Sequence, residues 1–301
     1  QTLQDVPELA PVKQDVKSTE YEFELISGNV KTVKYQKDQL DQSTHTYIYD
    51  KLNRLEEVFV STDKVHQSRQ AHYLYYDYGP LARVELGEQK VQGMDYAYTI
   101  NGWMKAMNGT ILNPGYELGR DNASGYLSQN TSVHNKFAKD VVAYTLGYFN
   151  GDYQSIGSTN FVPSPYGSGT LNTDISQLYN GNIAFTTSAI SDNISSGPQM
   201  HIQMGVYRYD QLNRLVSART FRASGLAASN SWATVAETQE YKSTYSYDKN
   251  GNLSHLTRNG GPTNVNMDDF TYQPETVGGN ASNRLDNVDD NAGYSGNYSQ
   301  D

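Results

Sequence analysis

Nine residues, Tyr47-Ile-Tyr-Asp-Lys-Leu-Asn-Arg-Leu55, return nearly letter for letter as Tyr207-Arg-Tyr-Asp-Gln-Leu-Asn-Arg-Leu215. Tyr245-Ser-Tyr-Asp-Lys-Asn-Gly-Asn-Leu253 is a third copy, and Tyr96-Ala-Tyr-Thr-Ile-Asn-Gly-Trp-Met104 a looser fourth. A pattern with this many fixed positions marks an internal repeat, in which each unit buries its face against its neighbours. Its spacing reads as strand, tight turn, strand. Tyr47 and Tyr49, Tyr96 and Tyr98, Tyr207 and Tyr209, and Tyr245 and Tyr247 are two apart, so each pair shares one face of a strand. Asp50, Asp210 and Asp248 open the turn, where a carboxylate can bond backbone N–H groups two residues on. Gly251 and Gly102 stand where Asn53 and Asn213 stand in the other copies, a swap that a left-handed backbone permits. Leu55, Leu215 and Leu253 begin the return strand. A helix with Tyr and Leu on one side is the competing reading, but Asp, Asn and Gly gather at the motif's centre and oppose it.

The pattern closely resembles the YD repeat of the RHS family. The likeness extends to Tyr75-Tyr-Asp-Tyr-Gly-Pro-Leu-Ala-Arg-Val-Glu-Leu-Gly87, to Met94-Asp-Tyr-Ala-Tyr-Thr-Ile-Asn-Gly-Trp103 and to Leu178-Tyr-Asn-Gly-Asn-Ile183. These resemble segments of bacteroidete-type members, and together they span most of the chain from Tyr21 to Asp301. The resemblance implies an all-β fold: hairpins in one curved, spiralling sheet that forms part of a hollow shell around a C-terminal cargo domain, often a toxin. It also implies a secreted or bacterial cell-surface protein, with flanking repeats and cargo as partners and the type IX outer-membrane machinery as the export route. The family's cleavage signature ahead of the cargo is missing, since Gly102-Trp103 lacks a flanking Asp-Pro. No protease residues are therefore carried over, and the chain reads as wall rather than cargo.

Composition suits a thin sheet. The chain has 25 Tyr, 37% hydrophobic residues and a mean hydropathy of -0.70. That is too polar for a thick core, but it matches strands held by cross-strand aromatic pairs. Disorder is disfavoured by the same tyrosines and the regular motifs. A net charge of -10 with no Lys/Arg run opposes a nucleic-acid surface. Cysteine is absent, so disulfides play no part. No stretch approaches the ~20 apolar residues of a membrane span. The start at Gln1, and a motif begun at Tyr298 and cut at Asp301, lead us to expect a piece of a longer protein with further repeats.

Along the chain, residues 1–20, with Pro7 and Pro11, read as a linker or extended edge. Residues 21–104 read as YD hairpins, with Gly28-Asn29 turning one strand into the next. The Gly79-Pro80 turn reads as one residue shorter than the nonamer. Residues 105–177 are broken by Gly and Pro and read as an irregular insertion or degenerate repeats, with short helical content near 135–142 and a strand over 141–149. Residues 178–301 resume the hairpins, truncated mid-repeat. Within them 224–236 is a loop, 267–272 a strand, and Asn283-Arg284-Leu285 a partial match.

The search for chemistry is mostly negative. His45, His66, His72, His134, His201 and His255 lack metal-ligand spacing and read as surface or packing residues. There is no Walker A loop, nucleophile elbow or thiol. Asp286, Asp289 and Asp290 could offer oxygen ligands to calcium, but the EF-hand spacing fails and a solvated turn is the simpler reading. The repeated Asp50, Asp210 and Asp248 read as turn formers, because a catalytic pair is needed once and a turn former in every hairpin. The expectation is a non-enzymatic structural segment with no catalytic, cofactor or metal residues. Exposed tyrosine rows keep open a cell-surface adhesin that binds glycans.

Overall fold

The computed structural model describes residues 1–12, 15–113, 115–122, 134–157, 159–168, 171–192, 199–223, 226, 230–261, 268–272 and 285–290. The described chain forms two compact units, residues 1–96 with 118–140 and residues 97–117 with 141–301. The stretch 105–177 is thus divided: 118–140 belongs to the first unit and the remainder to the second.

The fold is all-β. The first unit is a ladder in which each strand pairs antiparallel with the next: β1 (Thr2–Asp5), β2 (Val16–Phe23), β3 (Val30–Tyr35), β4 (Ser43–Tyr49), β5 (Leu55–Ser61), β6 (Ser68–Tyr75), β7 (Leu81–Leu86) and β8 (Gln92–Tyr98). The last residues of β8, including Tyr98, fall in the second unit. The second unit is itself a ladder of antiparallel neighbours, β9 (Met104–Met107), β10 (Val142–Gly147), β11 (Phe185–Asp192), β12 (Gln199–Tyr209), β13 (Leu215–Arg222), β14 (Ala236–Tyr247), β15 (Leu253–Arg258), β16 (Asp268–Tyr272) and β17 (Leu285–Asp290). Helix among the described residues is confined to a 3₁₀ segment, Pro7–Val12, one turn, Leu171–Asp174, and Leu226. Residues 134–141 carry turns, bends and irregular backbone rather than the expected helix, and β1 makes the N-terminal stretch a paired edge.

Six hairpins share one irregularity. Tyr49 faces Leu55, but Ile48 faces Glu57, so one extra residue sits on the return strand. The same bulge follows the pairs Phe23↔Val30, Tyr75↔Leu81, Tyr209↔Leu215, Tyr247↔Leu253 and Tyr272↔Leu285. A bulge of this kind bends the strand and tightens its right-handed twist. The pair Tyr75↔Leu81 also corrects the expectation of a shorter Gly79-Pro80 turn. Tyr73-Leu-Tyr-Tyr-Asp-Tyr-Gly-Pro-Leu81 is a full-length copy in which Tyr76 takes the Asp place. The acidic run expected to form a solvated turn likewise lies in β17, with Asp289 opposite Asp269 and Asp290 opposite Asp268. The expectations for Gly278 to Asn283 and for Tyr298 to Asp301 concern residues outside the described ones.

The second unit holds a substantial core. Phe185, Met204, Val206 and Phe221 of β11–β13 are covered by Ile111, Leu171, Ile175, Leu226 and Trp232. The stretches read as insertion and loop therefore supply one side of a core, at about 25 cal/mol for each Å² of apolar surface removed from water. Gly147 in β10 faces Phe185, and a Cβ at Gly147 would lie 1.8 Å from that ring. The Trp232 Nε1–H donates to the Pro163 carbonyl at 2.9 Å, so its polar edge is satisfied where its ring is buried.

Candidate functional site

The repeated turn is built around one carboxylate. Asp50 Oδ1 accepts the backbone N–H of Leu52 at 2.8 Å and of Arg54 at 2.9 Å, and Oδ2 accepts Arg54 Nε–H at 2.7 Å. Asp210 does the same for Leu212, Arg214 and Arg214 Nε at 2.9, 3.0 and 2.6 Å. Asp248 accepts Asn250 N–H, Asn252 N–H and Asn252 Nδ2–H at 2.9, 2.7 and 2.9 Å. Burial pushes the Asp50 carboxyl up, but the bonds from Arg54 and Leu52 outweigh it and hold it below its ordinary value. Asp210 is lowered chiefly by the Arg214 backbone N–H. Both oxygens of each carboxylate already have donors, which leaves little for acid–base chemistry.

The residue three after the Asp takes the left-handed conformation: Asn53 at φ 60°, Asn213 at 61° and Gly251 at 90°. In the looser copy Gly102 holds φ 79°, and the Thr99 hydroxyl replaces the carboxylate by accepting Trp103 N–H at 3.1 Å. In the copy that sequence reading misjudged, Gly79 is left-handed and the Tyr76 N–H donates to the Pro80 carbonyl at 2.9 Å. A backbone pair thus closes the turn even without the acid.

In four copies the second tyrosine reaches back to the preceding hairpin. The hydroxyls of Tyr49, Tyr75, Tyr209 and Tyr247 donate to the carbonyls of Val30, Leu55, Ile183 and Leu215 at 2.9, 2.7, 3.0 and 2.8 Å. The accepting residue occupies the leucine position of the motif or its counterpart. Each arginine reaches forward: the Arg54 guanidinium lies 4.2 Å from the Tyr75 ring centroid, and Arg214 4.5 Å from that of Tyr247. Arg54 Nη1–H also donates to the Gly79 carbonyl of the next turn at 3.1 Å. Tyr, Asp and Arg thus form a clasp between consecutive hairpins, combining a charge-assisted bond with a cation–π contact. Of the first tyrosines, Tyr207 shares a 3.0 Å hydroxyl contact with Thr186, and Tyr96 offers its carbonyl to the Tyr76 hydroxyl at 2.7 Å. Tyr47 faces Val58 and Tyr245 faces Leu256 across their hairpins.

Two buried ionic groups were not legible as sites. In the first unit Arg83 is bonded by Asp95, by Asp121 at 2.9 and 3.1 Å and by Glu85 at 3.2 Å, while its guanidinium lies 4.5 Å from the Phe137 ring centroid. Burial pushes the Asp95 carboxyl up to about 6, against the attraction of Arg83. The group ties residues of 118–140 onto the ladder. One guanidinium charge thus faces three carboxylates, Asp95, Asp121 and Glu85. His72 and His134 flank Glu85 at 3.1 and 4.0 Å, and burial lowers His134. In the second unit Lys105 Nζ lies 2.8 Å from both carboxylate oxygens of Asp152, and burial lowers the lysine.

No protein-family model matches this chain, and no curated protein matches it. Among solved structures it is similar to the crystal structure of TcdB2-TccC3-TEV, with a TM-score of 0.32 and 12% identity, over 86% of this chain and 12% of that one. It is also similar to the structure of a Photorhabdus luminescens Tc holotoxin pore carrying the TccC3-D651A mutation, with a TM-score of 0.32 and 12% identity, over 90% and 14% of the two chains. The chain therefore spans a small fraction of either. No helix among the described residues is long and apolar enough to cross a membrane, which leaves membrane-crossing strands untouched.

Proposed function

We propose that this chain is a structural, non-enzymatic wall segment of a secreted RHS-type β-shell that encloses a C-terminal cargo, a toxin domain in the reading drawn from the sequence resemblance. The observation that supports it is the clasp. Side chains fixed by the motif are spent on joining each hairpin to the next through Tyr-hydroxyl and Arg–Tyr contacts, the arrangement expected of a repeat whose product is an extended wall. On this reading the partners are flanking repeats and the cargo, and the protein leaves a bacterial cell by the type IX route.

The test uses the whole gene product. A C-terminal domain that resists protease in the intact protein, but is digested once expressed alone, supports enclosure; equal digestion in both forms overturns it. Retention inside cells that lack the export machinery tests the route.

A second reading is a glycan-binding adhesin. It draws on Tyr21 and Phe23, which stack at 6.4 Å while 42% and 58% exposed. A glycan array that gives strong binding lost on Tyr21→Ala and Phe23→Ala would move this reading ahead.

A further inference from the structure

The first hairpin departs from the clasp at three positions, and the loss of the arginine is the one with a consequence for its surface. Its motif runs Tyr21-Glu-Phe-Glu-Leu-Ile-Ser-Gly-Asn-Val30: Phe23 takes the place of the second tyrosine, Glu24 that of the Asp, and Asn29 that of the arginine. The turn is one residue longer but closes alike, Glu24 N–H donating to the Asn29 carbonyl at 2.8 Å and Gly28 sitting left-handed at φ 74°. Where Arg54 covers Tyr75, Asn29 is too short to cover Tyr49. Its amide nitrogen is buried without a hydrogen-bond partner.

Beside Tyr49 the surface opens into a cleft of about 770 Å³. The internal arginine of the next hairpin has three contacts: the Asp50 carboxylate, the Tyr75 ring and the Gly79 carbonyl. The residues in the same three places one hairpin earlier are Glu24, Tyr49 and Asn53, and all three line the cleft. Three lining carboxylates, Glu22, Glu24 and Asp50, face one lining ammonium, Lys31. Glu22 is engaged by Lys34 and Thr32, and Asp50 by its own turn, which leaves Glu24, bonded by the Ser27 hydroxyl, as the carboxylate at the arginine position. Leu25 and Ile26 at the lip are fully exposed.

We infer that this cleft is a receptor for an arginine side chain of a partner polypeptide, held by Glu24, the Tyr49 ring and the Asn53 carbonyl, with Leu25 and Ile26 gripping apolar residues beside it. A planar guanidinium suits a carboxylate and a ring face together, as an ammonium does not. The assignment stands apart from the shell reading, because it rests on the hairpin's own equivalences.

The test titrates the 301-residue chain with Ac-Leu-Arg-Leu-amide, its citrulline twin and its lysine twin, by calorimetry and by the Tyr49 ring signals in NMR. The expected result is binding of the arginine peptide with a shift at Tyr49, and at least tenfold weaker binding of both twins. Asn29→Arg supplies the guanidinium in cis, so it should raise the melting midpoint and abolish binding. Glu24→Gln, in a turn that keeps its backbone closure, should weaken binding tenfold or more. No binding by the arginine peptide, equal binding by the citrulline or lysine twin, or binding unchanged in folded Glu24→Gln overturns the proposal.

Discussion

Breaking the Lys105–Asp152 pair should unfold the second unit far more readily than removing it whole. Lys105 and Asp152 are 4% and 6% exposed, so solvent screens their attraction little. Asp152 Oδ2 also accepts the Tyr148 N–H at 2.9 Å, and the Lys105 Nζ lies 5.4 Å from the Phe185 ring centroid. Asp152→Asn keeps an oxygen for Tyr148 but strands a buried ammonium, at a cost of about 3–5 kcal/mol. Lys105→Met strands the carboxylate, with a penalty on the same order, roughly 3–5 kcal/mol. The double variant leaves neither charge and retains the acceptor, so it should lose only about 1–3 kcal/mol, much less than the sum. Urea unfolding followed by tryptophan fluorescence reads this directly, because Trp103 and Trp232 both lie in the second unit and Trp103 is 5.0 Å from the Tyr148 ring. Losses that add to within about 0.5 kcal/mol would refute the coupling.

Gly147→Ala should cost about 1–3 kcal/mol by driving a methyl into the Phe185 ring, read as a lowered melting midpoint, and Gly157→Ala, which meets open space, serves as the control. Asn53→Val should cost about 1–2 kcal/mol for a β-branched residue at φ 60°, while Asn53→Gly stays close to the parent, as Gly251 already does in its own hairpin; chemical denaturation of both variants decides it. Asp95 has a folded pKa raised to about 6 from 3.8, so the folded first unit binds that proton more tightly than the unfolded chain does. Its contribution is fully present below pH 3.8 and is lost as pH rises through about 6; carboxyl NMR should show that midpoint, and Asp95→Asn should flatten the pH dependence.

The hairpins were legible because their turn chemistry is local. An Asp that bonds two residues on, followed by Asn or Gly at positive φ, writes itself into nine consecutive letters. The copy at Tyr76 was misjudged because backbone groups alone close that turn, so the Asp can be replaced without trace in the pattern. The bulges were missed because no residue type marks them; they follow from how an aromatic ring and a leucine meet across the ladder. The core over β11–β13 was missed for a different reason. Ile111, Leu171, Ile175, Leu226 and Trp232 are scattered among glycines and prolines with no period, and only the return of their loops to the sheet makes them neighbours. Arg83 lies 2, 12 and 38 positions from its carboxylates Glu85, Asp95 and Asp121, and the group belongs to no motif. In the clasp, the carboxylate was readable, but the forward reach of Arg54 and the backward reach of Tyr49 depend on which hairpin comes next in space.

The pairing of an aromatic residue with Val or Leu holds across turns of different length. Tyr49 meets Leu55 after five intervening residues, Phe23 meets Val30 after six, and Tyr272 meets Leu285 after twelve, each with the same single-residue bulge beyond it. The bulge resets the in–out alternation on these six return strands, so a change of loop length in one of these hairpins is not passed to the next. Such an architecture can gain, lose or lengthen its turns one at a time without retuning the rest. Diversity can then accumulate at the hairpin tips while the ladder beneath keeps a single register.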